Sequence, residues 1–299
     1  MTRTSITGIL SPLTAKEVFI TSNQMKYDLL ASRNTYFSAD MPVSWFARRY
    51  ATPVFYAKVI MIVATASRLA KRGIYKDNQW IRSSYHTVKA LESVGGNFKI
   101  ENANVFRELK TACVFVSNHM SVLETFVLPC LIQPSRDVTF VVKKSLIDYP
   151  FFKWVMRSRH PIVVGRENPR EDLRAVLEQG QRRLKNNISV IIFPQTTRSE
   201  IFDPKAFNTL GVKLALRGNV PVVPVALKTD AWGIGRKYKD FGKIEPAKRV
   251  HFCFGEPIHV KGSGKNEHKV IVDYITGKIN AWQAEQTAWS GKAGNPGES

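Results

Sequence analysis

The stretch CVFVSNHMSVLETFVLPCL (Cys113–Leu131) decides the fold. Its opening, Cys113–Ser117, is a short apolar run rich in β-branched and aromatic side chains, the signature of a buried strand. Glu124–Leu131 is long enough, and apolar enough all round, to form a helix packed against such a strand. Between them lies a polar turn, Asn118–Leu123. The same alternation recurs outward in both directions. Strands are expected at Phe98–Glu101, Val138–Val142, Ile162–Val164, Val190–Phe193, Val220–Leu227 and Val250–Phe254. Helices are expected at Tyr149–Arg157, Pro169–Lys185 and Phe207–Leu216. Short apolar strands alternating with helices imply an α/β domain with a largely parallel sheet covered on both faces.

Ahead of this domain the pattern is helical. Aromatic and aliphatic residues from Pro42 to Arg72 recur mostly at spacings of three to five, with basic residues among them. A second helix is expected from Asn78 to Val94, stopped by Gly95-Gly96. The organisation expected is therefore residues 1–96 as an N-terminal segment with an amphipathic helical pair, irregular or weakly helical over residues 1–40. A catalytic domain follows at 97–283 and a polar, disordered tail at 284–299. The most apolar run, Val54–Ala66, contains Lys58 and is shorter than the roughly 20 residues a spanning helix needs, so no transmembrane span is expected.

The chain has 299 residues, and 44 Lys+Arg against 24 Asp+Glu give a formal charge of +20. This excess predicts attraction to polyanions such as an anionic lipid surface or nucleic acid. Cys113, Cys130 and Cys253 form no CxxC pair or metal-binding spacing, so buried thiols are expected.

Two clusters carry chemistry. In Asn118–Glu124, His119 falls beyond the end of a strand, where open α/β sheets bind ligands. A His paired with a carboxylate is a general-base arrangement. On an ideal helix His119 and Glu124 would lie about 140° apart, so His119 must precede the helix and Glu124 must reach back from its first turn. Ser121 and Glu124 also fit a capping box, and both readings stand on these residues. In Phe193–Ser199, again after a strand, Arg198 offers a planar fork suited to a phosphate, with hydroxyls from Thr196, Thr197 and Ser199. An ordinary polar loop capping a helix explains the same residues. Arg166 after Gly165, and Lys143 or Lys144, also end apolar strands. They converge on one rim with His119 if those strands are parallel neighbours, and are surface charges otherwise.

Taken in order, Asn118-His119-x4-Glu124, Gly165-Arg166, Phe193-Pro194-x-x-Thr197-Arg198-Ser199 and Val220–Val225 resemble the four motifs of the glycerolipid acyltransferases, in particular the bacterial 1-acyl-glycerol-3-phosphate acyltransferases. The resemblance spans Phe98–Leu227. It implies an α/β acyltransferase domain behind a helical pair that sits on the membrane. His119 is then the general base and Glu124 its supporting acid. Arg166 and Arg198 are associated with the acceptor's phosphate, Thr197 and Ser199 end the third motif, and Lys144 lies near a basic position between the first two. Pro224 belongs to the fourth motif, linked to acyl-chain or structural roles. Two departures stand out. The family acid is usually Asp rather than Glu124. The usual FPEGTRS becomes Phe193–Ser199 with Gln195-Thr196, which removes a charge and stiffens a flexible position.

The resemblance implies transfer of a fatty acyl group to lysophosphatidic acid, giving phosphatidic acid. The donor would be a thioester of acyl carrier protein or coenzyme A, with no permanently bound cofactor and no metal. It implies a peripheral or monotopic place on the cytoplasmic face of the inner membrane, and the charge is then explained without nucleic acid. Gln195-Thr196 leaves open another lysolipid or an amino-acid-containing lipid as acceptor. From another class, a non-catalytic basic membrane- or nucleic-acid-binding protein fits the charge, although no nucleic-acid module is legible.

Overall fold

Alternation along the central strands sets the two layers of the core. Val114 and Val116 join one apolar cluster and Phe115 the other, as the two-residue period of a strand requires. The computed structural model describes residues 27–293 apart from 32, 41, 151 and 196, with side chains described through residue 286. Residues 1–26, Thr196 and residues 294–299 lie outside the described residues.

In chain order the elements are β1 (Tyr36–Phe37), α1 (Trp45–Arg49), α2 (Ala51–Lys71), α3 (Asp77–Glu92), β2 (Phe98–Glu101), α4 (Asn104–Arg107), β3 (Val114–Ser117), α5 (Leu123–Ile132), β4 (Val138–Lys143), α6 (Lys144–Asp148), α7 (Lys153–Ser158), β5 (Ile162–Val164), α8 (Pro169–Lys185), β6 (Ser189–Ile192), α9 (Leu210–Gly218), β7 (Val222–Lys228), β8 (Val250–Phe254) and α10 (Lys265–Ala293). They form one eight-stranded sheet in the order β1-β2-β8-β7-β3-β6-β4-β5. From β7 to β5 every neighbouring pair is parallel. β8 runs antiparallel to β7, and β1 antiparallel to β2. The carboxyl ends of five adjacent strands therefore share one rim. Pro224 sits inside β7, and its carbonyl accepts from Gly255 N at 2.7 Å.

Local chemistry explains the helix ends. Asn168 caps α8, its side chain accepting from Arg170 N and Glu171 N, and Pro169 opens the first turn. α3 stops where Gly95 takes a φ of 96° and Gly96 N bonds Leu91 O at 2.9 Å. In α5, Pro129 removes a backbone donor. The hydroxyl of Ser84 on α3 enters the ladder there, accepting from Cys130 N at 2.9 Å and lying 3.0 Å from Val127 O. That contact ties the helix carrying Glu124 to its neighbour.

Several sequence-based expectations need correction. The Pro42–Arg72 pattern breaks at Tyr50 into α1 and α2. Part of the stretch expected to be irregular is β1, because Tyr36–Phe37 can pair with the exposed edge of β2. The expected helix at Tyr149–Arg157 is found only from Lys153 onward, as α7; Tyr149 is extended and a separate short helix, α6, precedes it. The polar tail is helical as far as Ala293, as its Ala, Glu and Gln content permits. The reading of no span also changes. The apolar run extends at both ends into α2, whose 21 residues are long and apolar enough to cross a membrane by length and composition. One face of it, Ala51, Phe55, Val59 and Ala66, is buried on the protein. All three cysteines are free and buried.

Phe55 fastens α2 to the domain. It is fully buried and meets Trp232 edge-on, with ring centroids 4.9 Å apart. Phe55→Ala is expected to destabilise the protein by about 3–5 kcal/mol in urea unfolding; a loss below about 1 kcal/mol would mean that α2 is not clamped by this contact.

Candidate active site

β3 delivers the chain to the rim, and Asn118 pins it there. The Asn118 side chain accepts from Leu227 N at 2.8 Å and donates to Leu227 O at 2.9 Å, locking the turn to the end of β7. His119 follows in the turn, and Glu124 is the second residue of α5. His119 Nδ1 and Glu124 Oε1 are 2.9 Å apart, and the carboxylate is buried.

Burial alone would raise the Glu124 carboxyl; hydrogen bonds and the charge interaction with His119, together with the Thr229 hydroxyl, outweigh it and hold the pKa below its ordinary value. Oε1 accepts from Met120 N at 2.7 Å and Ser121 N at 2.9 Å. Oε2 accepts from Thr229 Oγ1 at 2.6 Å, with Ser121 Oγ 3.1 Å away. The two readings of Glu124 are thus simultaneous: it closes the helix start as a capping-box acid does, and it also meets His119. A carboxylate has about four acceptor directions, and this one uses them on buried donors.

The loop after β6 builds the other wall. Gln195 is buried, and its Oε1 accepts from His119 N at 2.7 Å. Ser199 N donates to His119 O at 3.0 Å. Phe193 stacks on the imidazole, with centroids 4.3 Å apart and planes 17° apart. His119 is therefore held by its backbone on both sides, by its ring face and by one ring nitrogen. A neutral imidazole donating through Nδ1 to Glu124 presents Nε2 as the acceptor of a proton.

The candidate cations follow strands of the same parallel set, Arg198 after β6, the neighbour of β3, and Arg166 after β5 at the sheet edge. Arg198 ion-pairs with Asp240. Arg166 has a left-handed backbone, φ 65°, held because the Asp172 carboxylate accepts from both Gly165 N and Arg166 N at 2.8 Å. The Arg166 guanidinium is pulled below its ordinary pKa first by desolvation and further by repulsion from Arg198, against attraction by Asp172. Thr197, which precedes Arg198, is exposed. The Ser199 hydroxyl is engaged in its own loop, donating to Ile201 O at 2.7 Å. Lys144 is exposed at the start of α6, directly after β4 and separated from β3 by one strand (β6) on the same rim, whereas Arg166 follows β5 at the edge of the sheet.

Thr229, Gln195, Asp172 and Asp240 were not singled out as site residues from the sequence. Thr229 follows the apolar run of β7 directly, the same signal that marks His119 and Arg198. Asp172 lies in the first turn of a capped helix, where an acid is expected on other grounds. Nothing local marks Asp240. Among the described residues no group of three or more His, Cys, Asp or Glu side chains could hold a metal ion.

The acyltransferase family model matches residues 97–228, the segment that contains His119, Glu124, Arg166 and Arg198. The chain is 28% identical over 176 residues to a 1-acyl-sn-glycerol-3-phosphate acyltransferase of Pseudomonas aeruginosa, covering 59% of this chain and 64% of that protein. It is 27% identical over 228 residues to an uncharacterized acyltransferase of Schizosaccharomyces pombe, covering 74% and 79%. In fold it is similar to the crystal structure of the 1-acyl-sn-glycerophosphate acyltransferase of Thermotoga maritima, with TM-score 0.58 and 19% identity over 80% of this chain and 97% of that one.

The Glu124 bonds give a pH signature. The unfolded side chain titrates near pH 4.3 and the folded one lower. Its stabilisation is therefore complete above the unfolded value and is lost as pH falls through the folded one. In urea unfolding, wild type should exceed Glu124→Gln in stability at pH 7, and the difference should shrink as pH falls from about 5 towards 3. A difference independent of pH would contradict an ionised, donor-saturated Glu124.

Proposed function

With residues 97–228 a domain of the glycerolipid acyltransferase family, we propose that the chain transfers a fatty acyl group from a thioester to the free hydroxyl of lysophosphatidic acid, giving phosphatidic acid. The observation that carries the reading is His119, oriented by a buried Glu124 on the strand rim that also bears Arg198 and Arg166.

The acceptor's phosphate docks on Arg198 and Arg166, whose guanidinium groups suit it in charge and in donor geometry. This brings its hydroxyl to the Nε2 side of His119. As the hydroxyl oxygen attacks the thioester carbonyl, its proton passes to Nε2, and the imidazolium that forms is stabilised by the Glu124 carboxylate. The tetrahedral intermediate then collapses, the C–S bond breaks, and the proton returns from Nε2 to the departing thiolate. Acyl carrier protein or coenzyme A serves as the leaving thiol. No protein-bound cofactor enters this sequence. Thr197 and Lys144 contribute at the edge of the acceptor site. Ser199 acts through its backbone bond to His119.

Gln195 bears on the choice of acceptor. Its side chain is spent on the His119 backbone, so its replacement of the usual Glu alters the support of the base rather than the wall facing a head group. Lysophosphatidic acid therefore remains the acceptor we favour.

The enzyme works at the membrane surface. α1 presents Trp45, 76% exposed, with Phe46 and Tyr50, and α2 presents Ile60 and Met61, the latter 62% exposed. Arg48 and Arg49 sit between these aromatics. Aromatic and basic residues together suit the headgroup region. We place this face on the cytoplasmic leaflet of the inner membrane, where anionic lipid attracts a chain of charge +20.

Acyl transfer to lysophosphatidic acid should be measured with acyl carrier protein and coenzyme A thioesters, wild type beside His119→Ala. The variant is expected to lose at least about a hundredfold in kcat with an unchanged circular dichroism spectrum. Comparable turnover in the folded variant would remove His119 from the mechanism, and product only from a different lysolipid would replace the acceptor.

A further inference from the structure

The loop Gly233–Lys243, GIGRKYKDFGK, is the most concentrated basic and aromatic surface near the site. Arg236, Lys237, Tyr238, Lys239, Phe241 and Lys243 are all exposed, Tyr238 by 64%. The loop is nonetheless built. Trp232 and Ile244 form an antiparallel bridge at its base and are both buried. Gly233 N bonds Lys243 O at 3.0 Å, and Phe241 N bonds Tyr238 O at 2.9 Å. Gly242 is required there, because a Cβ on it would lie 1.8 Å from Gly233 O.

Two sets of contacts give this loop a position between the amphipathic helix and the anion site. On one side Tyr56 of α2 donates to Gly242 O at 2.7 Å, Thr52 Oγ1 accepts from Ile244 N at 3.1 Å, and Phe241 packs on the Tyr56 ring with centroids 5.6 Å apart. Its exposed aromatics thus continue the apolar face of α1 and α2. On the other side Asp240 ion-pairs with Arg198, with its own carbonyl held by Trp232 Nε1 at 3.1 Å. A carboxylate on a guanidinium occupies the position that a phosphate would take.

We infer that Gly233–Lys243 is a second lipid-contact element, and that it holds Asp240 in the acceptor phosphate's seat until an anionic membrane engages the loop. The occupant is an anionic bilayer: three cations around one exposed tyrosine, beside exposed Phe241, match a charged headgroup layer over an apolar one. The Asp240 half of the inference rests on the reading of Arg198 as a phosphate site. The loop half does not.

Two experiments on the full chain separate them. The first is co-sedimentation with phosphatidylglycerol–phosphatidylcholine vesicles and with pure phosphatidylcholine vesicles. Lys237→Gln/Lys239→Gln, both exposed, should reduce partitioning onto the anionic vesicles by roughly thirtyfold, at about fivefold per charge, with no effect on thermal unfolding. Tyr238→Ser should weaken it further. Partitioning equal to wild type in all variants overturns the loop as a lipid contact, as does binding to duplex DNA with none to vesicles. The second experiment measures glycerol 3-phosphate binding without lipid by calorimetry. Asp240→Asn should bind severalfold more tightly than wild type, and Arg198→Gln/Asp240→Asn should lose the gain. Equal affinity in wild type and Asp240→Asn overturns the displacement. No binding in any variant overturns both that half and the phosphate reading of Arg198, and leaves the vesicle result to decide the loop.

Discussion

The buried carboxylate of Glu124 is the constraint on which the site depends. An ionised acid removed from water is tolerable only when its oxygens are met by donors of comparable strength, and here they come from two distant parts of the chain. Met120 and Ser121 supply backbone amides from the turn, Thr229 a hydroxyl from the end of β7, and His119 its ring. Each bond fixes the position of an element as much as it stabilises a charge. The start of α5, the end of β3 and the end of β7 can meet only in one arrangement if the carboxylate is to be saturated, and His119 occupies the remaining direction.

Topology supplies the rest. Five adjacent strands run parallel from β7 to β5, so residues that follow them in sequence at 119, 198, 166 and 229 share one rim in space. β3 sits between β7 and β6, and both neighbours hold its exit: Leu227 through Asn118, Gln195 and Ser199 through the His119 backbone. The proposed base is thereby held from both neighbouring strands and the loop after β6, as a preorganised site requires. The side proposed to bind the acceptor's phosphate is built differently. Arg198 lies against a loop that is itself tied to α2, so the proposed phosphate site is connected mechanically to the proposed lipid-facing surface.

Much of this was legible in the residues. The strands Phe98–Glu101, Ile162–Val164 and Val250–Phe254 match the expected bounds residue for residue, because Ile162–Val164 and Val250–Phe254 are short runs dominated by β-branched and aromatic residues and Phe98–Glu101 alternates apolar and charged residues with the period of a half-buried strand. The need for His119 to precede the helix followed from helical geometry alone. Other parts were hidden. α10 places Ile271, Ile275 and Ile279 in the core at four-residue spacing, but its surroundings are so polar that the stripe is diluted. α2 read as too short to span because Lys58 and Arg68 interrupt its apolar run. Asp240 could not be anticipated, since its partner is 42 residues away and only the folded loop brings them together. Long-range pairing of that kind leaves no local period in the sequence.

The most direct test of the central claim is the tautomer of His119, read by nitrogen NMR on ring-labelled protein in its neutral form. The account predicts a proton on Nδ1, shared with Glu124, and a bare Nε2 able to take a proton from the acceptor. A neutral ring protonated at Nε2 would contradict it, because the carboxylate would then not be setting the base.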